Sequence, residues 1–105
     1  MSKLTVKNWD AADYLETPED RVAYLEAALE DGDPTLVAAA LGDIARAIGM
    51  TQVAKASGLG RESLYKALST DGNPEFATIM RVVAALGLRF RVGVSPLAAQ
   101  QGGPA

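Results

Sequence analysis

Neither cysteine nor histidine occurs among the 105 residues of this chain. The missing cysteine excludes disulfides and thiolate metal sites, and it suits a reducing cytoplasm without requiring one. Together the two absences remove zinc fingers, cysteine–histidine nucleophiles and the commonest general base. Catalysis would have to rest on carboxylates, lysine, tyrosine or serine alone. No such cluster stands out, so the sequence reads as a non-enzyme with no cofactor and no metal. Hydrophobic residues reach 49%, yet no uncharged apolar run approaches the length of a membrane span, and a soluble chain is expected. Residues 4–10, Leu-Thr-Val-Lys-Asn-Trp-Asp, lack the apolar stretch of a signal peptide despite Lys3, which points to a cytoplasmic protein. The length suits one domain with a single helical core.

Positive charge is scarce in the first half. Residues 1–48 hold four basic side chains (Lys3, Lys7, Arg21, Arg46) against ten acidic ones, a net of -6. Residues 49–105 hold six basic (Lys55, Arg61, Lys66, Arg81, Arg89, Arg91) against three acidic, a net of +3. A domain devoted to nucleic acid alone is usually basic throughout. The acidic half therefore reads either as a solvated surface or as a face for a second, basic partner.

The basic half carries the informative pattern. Residues 50–68, Met-Thr-Gln-Val-Ala-Lys-Ala-Ser-Gly-Leu-Gly-Arg-Glu-Ser-Leu-Tyr-Lys-Ala-Leu, read as a helix-turn-helix. Two short helices that cross closely need a small residue on the first, here Ala54 or Ala56. Gly58 follows Ala54 by four, where the tight turn needs a positive φ. Leu59 plugs the space between the helices, and Leu64 and Leu68 repeat at i and i+4 on the inner face of the second. Thr51 is the expected N-cap of the first helix, with Gln52 its first residue. The remaining face presents Arg61, Glu62, Tyr65 and Lys66. A helical hairpin with solvated charges is the competing reading.

Elsewhere the chain is punctuated by caps. Residues 1–16 read as an N-terminal arm, with residues 3–6 alternating polar and apolar. Thr17 then caps a helix that has Pro18 at its first position and Glu19 and Asp20 in its first turn. Val22, Leu25 and Leu29 form its apolar stripe, and it ends near Gly32. Asp33 and Pro34 repeat the signal for a helix at about 34–48, with Val37, Leu41, Ile44 and Ile48 on one face and Gly49 as its stop. After the motif, residues 69–74 form a turn, with Asn73 expected to cap a last helix from Pro74. Phe76, Ile79, Met80, Val83 and Leu86 are its expected buried stripe. Residues 88–94 alternate strictly, apolar at even numbers, and read as a half-buried strand. Such a strand needs a partner: residues 3–6, the same strand of a second subunit, or another protein. Residues 95–105 read as a disordered tail.

The fold class expected is all-α: five helices with a short C-terminal β-strand over 17–94. This arrangement, with the second and third helices as a DNA-reading pair and an Asn-Pro turn before the fifth, resembles the Cro and phage-repressor domains. The chain is more closely similar to the HigA-type antitoxins, or addiction-module antidote proteins. The residues that carry this likeness are Ala-Leu-Gly-Asp-Ile-Ala-Arg-Ala-Ile-Gly-Met at 40–50, Arg-Glu-Ser-Leu-Tyr-Lys-Ala-Leu-Ser at 61–69, Gly-Asn-Pro-Glu-Phe at 72–76 and Ala-Leu-Gly-Leu at 85–88. The N-terminal Trp-Asp-Ala-Ala-Asp-Tyr-Leu extends it, so the resemblance covers about 4–94.

The resemblance implies an antitoxin that neutralises a small basic RelE/HigB-type ribonuclease toxin. It also implies a homodimer that binds double-stranded operator DNA and represses its own operon. In that setting Gln52 reaches a phosphate. Arg61 is the candidate for a bidentate guanine contact, and Glu62 for cytosine N4 or for orienting Arg61. Ser63 supports them, while Tyr65 and Lys66 touch the backbone, Tyr65 packing partly against the motif. Gly60 stands where a Ser or Thr cap is commoner. Trp9, Asp10, Asp13 and Tyr14 are the candidate toxin contacts, although Trp9 and Tyr14 also suit an anchor onto the helical core. A stand-alone phage-type repressor and a helical interaction module without DNA function are the alternatives.

Overall fold

Thr17 and Asp33 each accept a backbone N–H, from Asp20 at 3.0 Å and from Thr35 at 2.9 Å. Each is followed by proline, and the two longest helices start at these points. The computed structural model describes residues 10–69 and 71–97. Over them run a 3₁₀ turn, Ala11–Tyr14, and five α-helices: α1 (Pro18–Asp31), α2 (Pro34–Ile48), α3 (Met50–Ser57), α4 (Arg61–Ala67) and α5 (Phe76–Ala85). The pair matching the sequence motif is thus the third and fourth helix in chain order. Among the described residues no single helix is long and apolar enough to cross a membrane.

α2 is the central element. Its Leu41 and Ile44 are fully buried together with Val53 of α3, Leu64 of α4 and Val82 of α5. At Gly49, with φ 128°, the chain turns by 110° from α2 into α3, a backbone conformation that a side chain would resist. Gly42 lets the end of α4 close on α2, since a Cβ there would lie 3.3 Å from the Leu68 carbonyl oxygen.

Several sequence expectations shift. α3 begins at Met50 with Gly49 as its cap, so Thr51 lies inside the helix and Gln52 is its third residue. Burial of Met50 draws that first turn into the core. α5 begins at Phe76 after Glu75, not at Pro74, and no side chain caps it. Its inner stripe is Ile79, Val82, Val83 and Leu86, an i, i+3, i+4, i+7 set. Phe76, 72% exposed, lies in the first turn beyond the core, and Met80, 46% exposed, sits one position round the helix from Ile79. On α1, Leu25 and Ala28 are buried, whereas Val22 and Leu29 stay over 40% exposed.

The expected C-terminal strand is absent among the described residues: 88–94 form neither helix nor ladder. Leu88 and Phe90 pack against the core while Arg89 and Arg91 are exposed. That alternation is the side-chain geometry of an extended segment. A ladder requires a second strand about 4.8 Å away, and no described residue supplies one. The candidate partner at 3–6 lies outside the described residues, as do Trp9 and residues 98–105.

From Asp10 onward the N-terminal segment is docked. Ala11 and Leu15 are buried, and Arg21 of α1 donates from Nε to the Leu15 carbonyl at 2.9 Å and from Nη2 to that of Glu16 at 3.1 Å.

Candidate nucleic-acid interface

The turn between α3 and α4 follows from three residues. Gly58 takes a left-handed φ of 78°. Its N–H donates to Lys55 O at 3.3 Å, and the Leu59 N–H reaches back to Ala54 O at 3.1 Å. These are the two bonds of a Schellman ending, with Leu59 folded partly onto the core. Ala54 is the small buried residue, and Ala56 is exposed.

Two further residues lock the turn, and motif spacing alone did not single them out. Ser57 is the one buried polar side chain among the described residues; its Oγ donates to Ala54 O at 3.1 Å and accepts from Leu59 N at 3.3 Å. Arg81 of α5 donates from Nε to the Ser57 carbonyl at 3.1 Å. A Cβ on Gly58 would lie 2.8 Å from Arg81 Nη2. The guanidinium thus sits at the carbonyl end of α3, where the helix dipole favours a cation. A lone arginine in an otherwise apolar helix was the available clue.

α4 is divided cleanly. Leu64 and, just beyond the helix, Leu68 point inward at 0% and 6% exposure. Arg61, Glu62, Ser63, Tyr65 and Lys66 are all exposed. Gly60 caps the helix without a side-chain bond. Arg61 and Tyr65 pair on the outer face: Nη2 donates to the phenolic oxygen at 3.2 Å, and Cζ lies 5.5 Å from the ring centroid. The partial packing expected of Tyr65 is therefore made with Arg61. Gln52 is exposed near the start of α3, its Oε1 beside Gly49. The far end of α4 is held by Ser69, whose Oγ donates to the Lys66 carbonyl at 3.1 Å. Gly72 closes over the same carbonyl, so near that a Cβ would stand 2.5 Å from it.

The first half of the chain presents a different chemistry. Asp10 Oδ1 accepts from Ala12 N at 3.0 Å and from Arg46 Nη2 at 2.7 Å. Arg46 also bonds Asp43 at 2.9 Å, and the Tyr24 hydroxyl donates to the second oxygen of Asp43 at 2.5 Å. The Ala12 N–H, then Arg46, hold the Asp10 carboxyl below its ordinary value. Burial, and then the bond to Asp43, push the Tyr24 phenol up to about 12. Asp10 is thus committed to the fold, whereas Asp13 and Tyr14 are exposed on the 3₁₀ turn.

Residues 5–94 match the family model described as "probable addiction module antidote protein". The chain belongs to that antidote family. A relative described as an uncharacterized protein of Haemophilus influenzae is 47% identical over 93 residues, covering 89% of this chain and 96% of the relative. No solved structure matches the chain. An antidote of an addiction module implies an antitoxin role and a toxin partner.

Proposed function

We propose that this antidote protein is a DNA-binding antitoxin of the cytoplasm. As a homodimer it represses its own operon through α4, and it neutralises a small basic ribonuclease toxin of the RelE/HigB type. It is a regulator and carries no catalysis. The observation that carries the reading is the division of α4: apolar residues seal one side, and five polar residues are exposed on the other.

An exposed helix of this kind, braced by a short preceding helix, suits insertion into the major groove. Arg61 and Glu62 lie in its first turn, where side chains of such a helix meet base edges, and Arg61 suits guanine O6 and N7. Ser63 supports these contacts; Gln52, Tyr65 and Lys66 serve the phosphates. Two copies would read half-sites about 34–36 Å apart. The acidic first half speeds capture of a basic toxin, with Asp13 and Tyr14 as contacts beside Trp9. Asp10 contributes by holding their turn in place.

Binding to a fragment of its own promoter and to random DNA across a salt series tests the first half of this reading. Co-expression with the neighbouring small basic protein, followed by mass determination of the purified complex, tests the second. Specific promoter binding with no complex would leave a stand-alone repressor. Loss of both would leave only a helical scaffold.

A further inference from the structure

We infer that Arg81 is a positioning residue for the N-terminal end of α4: its bond to the Ser57 carbonyl fixes the direction in which that helix leaves the turn. This rests on the DNA-binding reading above and names a residue that governs specificity without itself meeting DNA.

The two ends of α4 are held differently. At the C-terminal end, Leu68 is buried against Gly42 of α2, and Ser69 and Gly72 close over the Lys66 carbonyl. At the other end, which carries Arg61 and Glu62, Gly60 supplies no side-chain cap, and a Cβ on it would meet nothing within 4 Å. Among the helices α4 packs most closely on α3, and α3 on α5. The direction of the open end is therefore handed on from α3 through residues 57–60. Seven residues at about 1.5 Å each make a lever of about 10 Å. A tilt of about 10° about the fastened end would move Arg61 by about 2 Å, more than a hydrogen bond to a base edge tolerates.

Arg81 stands at this joint. Ser57 ends α3, so its carbonyl has no partner within the helix. Among the described residues, Arg81 supplies the side-chain hydrogen bond that reaches 57–60 from outside the motif, Nε to Ser57 O at 3.1 Å. A cationic donor on a carbonyl makes a stronger bond than a neutral one, and the helix dipole adds to it here. The support behind it is firm, since the next two residues of α5, Val82 and Val83, are buried. Nη2 lies so near Gly58 that a Cβ there would stand 2.8 Å away. Glycine at 58 thus serves twice, giving the turn its positive φ and the guanidinium its room.

Two neutral variants separate the donor from the charge. Counted along the side chain, the amide nitrogen of Gln stands where Arg carries Nε, whereas Met has no donor. Promoter and random duplexes are titrated with the full chain as wild type, Arg81→Gln and Arg81→Met across a salt series. Arg81→Met is expected to bind the promoter about tenfold more weakly than Arg81→Gln, the size of one misread base pair. On random DNA the two variants should agree. Combined with Arg61→Ala the Met penalty should shrink, because the side chain being positioned is gone. Arg81→Ala replaces the Met variant if circular dichroism shows the latter unfolded. Amide exchange of the free protein reads the joint without DNA: the Leu59 and Leu64 N–H groups should exchange faster in Arg81→Met than in Arg81→Gln.

Equal promoter affinity of the Gln and Met variants would overturn the inference. If both also lose about one unit of salt slope, the charge meets a phosphate directly. A penalty undiminished beside Arg61→Ala, or unfolding of both donor-free variants, would assign Arg81 to the fold alone and overturn it as well. A wild type that ignores its promoter would sink the DNA-binding reading instead, and amide exchange would still decide whether Arg81 holds the joint.

Discussion

Arg61 lies over the ring of Tyr65 one helical turn on, its Nη2 3.2 Å from the phenolic oxygen. The pair couples the residue proposed to read a base with one proposed to touch the backbone. A guanidinium held by a neighbour loses less side-chain freedom when it meets guanine. Arg61→Ala is expected to cost about 1–3 kcal/mol and to relax preference at one base pair. Lys66→Ala should weaken all sequences alike and flatten the salt slope. Anisotropy titrations on specific and random duplexes distinguish the two, and equal losses on both duplexes for both variants would contradict the assignment.

Gly58 and Gly72 fail for different reasons when substituted. Gly58→Ala places a Cβ at φ 78° and 2.8 Å from the mobile end of Arg81, and the left-handed backbone alone costs about 1–2 kcal/mol. Gly72→Ala drives a Cβ to within 2.5 Å of the Lys66 carbonyl oxygen and 2.8 Å of that of Ala67. Backbone cannot swing aside as Arg81 can, so a comparable or larger loss of about 1–3 kcal/mol is expected. Chemical denaturation of both variants measures this, and a neutral Gly72→Ala would refute the close approach.

The Tyr24–Asp43–Arg46–Asp10 chain makes stability depend on pH at both ends of the scale. The folded Tyr24 phenol titrates at about 12 instead of 10.0, so its contribution is complete below pH 10 and is lost as pH rises to about 12. Asp10 is held below 3.8, so its contribution is present above that value and is lost as pH falls through the folded one. Tyr24→Phe should remove part of the alkaline loss, and Asp10→Asn part of the acid loss. Thermal melts across pH that keep their full slopes in both variants would count against these roles.

Asp13 and Tyr14 face outward beside a basic partner's proposed seat, while Asp10 is tied to Arg46. Asp13→Lys is therefore expected to slow toxin association, most strongly at low salt, without changing the melting temperature. Asp10→Asn should instead loosen the 3₁₀ turn and act through the fold. Stopped-flow association at two ionic strengths, beside limited proteolysis, separates the two. Equal salt-dependent slowing in both variants would mean that Asp10 itself meets the partner.

The amino-acid order alone determined the caps at Thr17 and Asp33, the stop at Gly32, the positive-φ turn at Gly58 and the split of Leu64 and Leu68 from the polar face of α4. Each of these depends on residues within about one helical turn, where propensity, capping and periodicity act directly. The places where tertiary structure decided differently are set by distant partners. Met50 moved the start of α3 because the core received its side chain. Gly72, pinned to the end of α4, left Asn73 and Pro74 in the loop and delayed α5 to Phe76. Arg81 became a brace only because α5 lies against the end of α3, twenty-four residues away in the chain. Residues 88–94 have a strand's alternation but no ladder among the described residues, because a strand exists only with a neighbour to share its hydrogen bonds, and composition cannot state which neighbour that is.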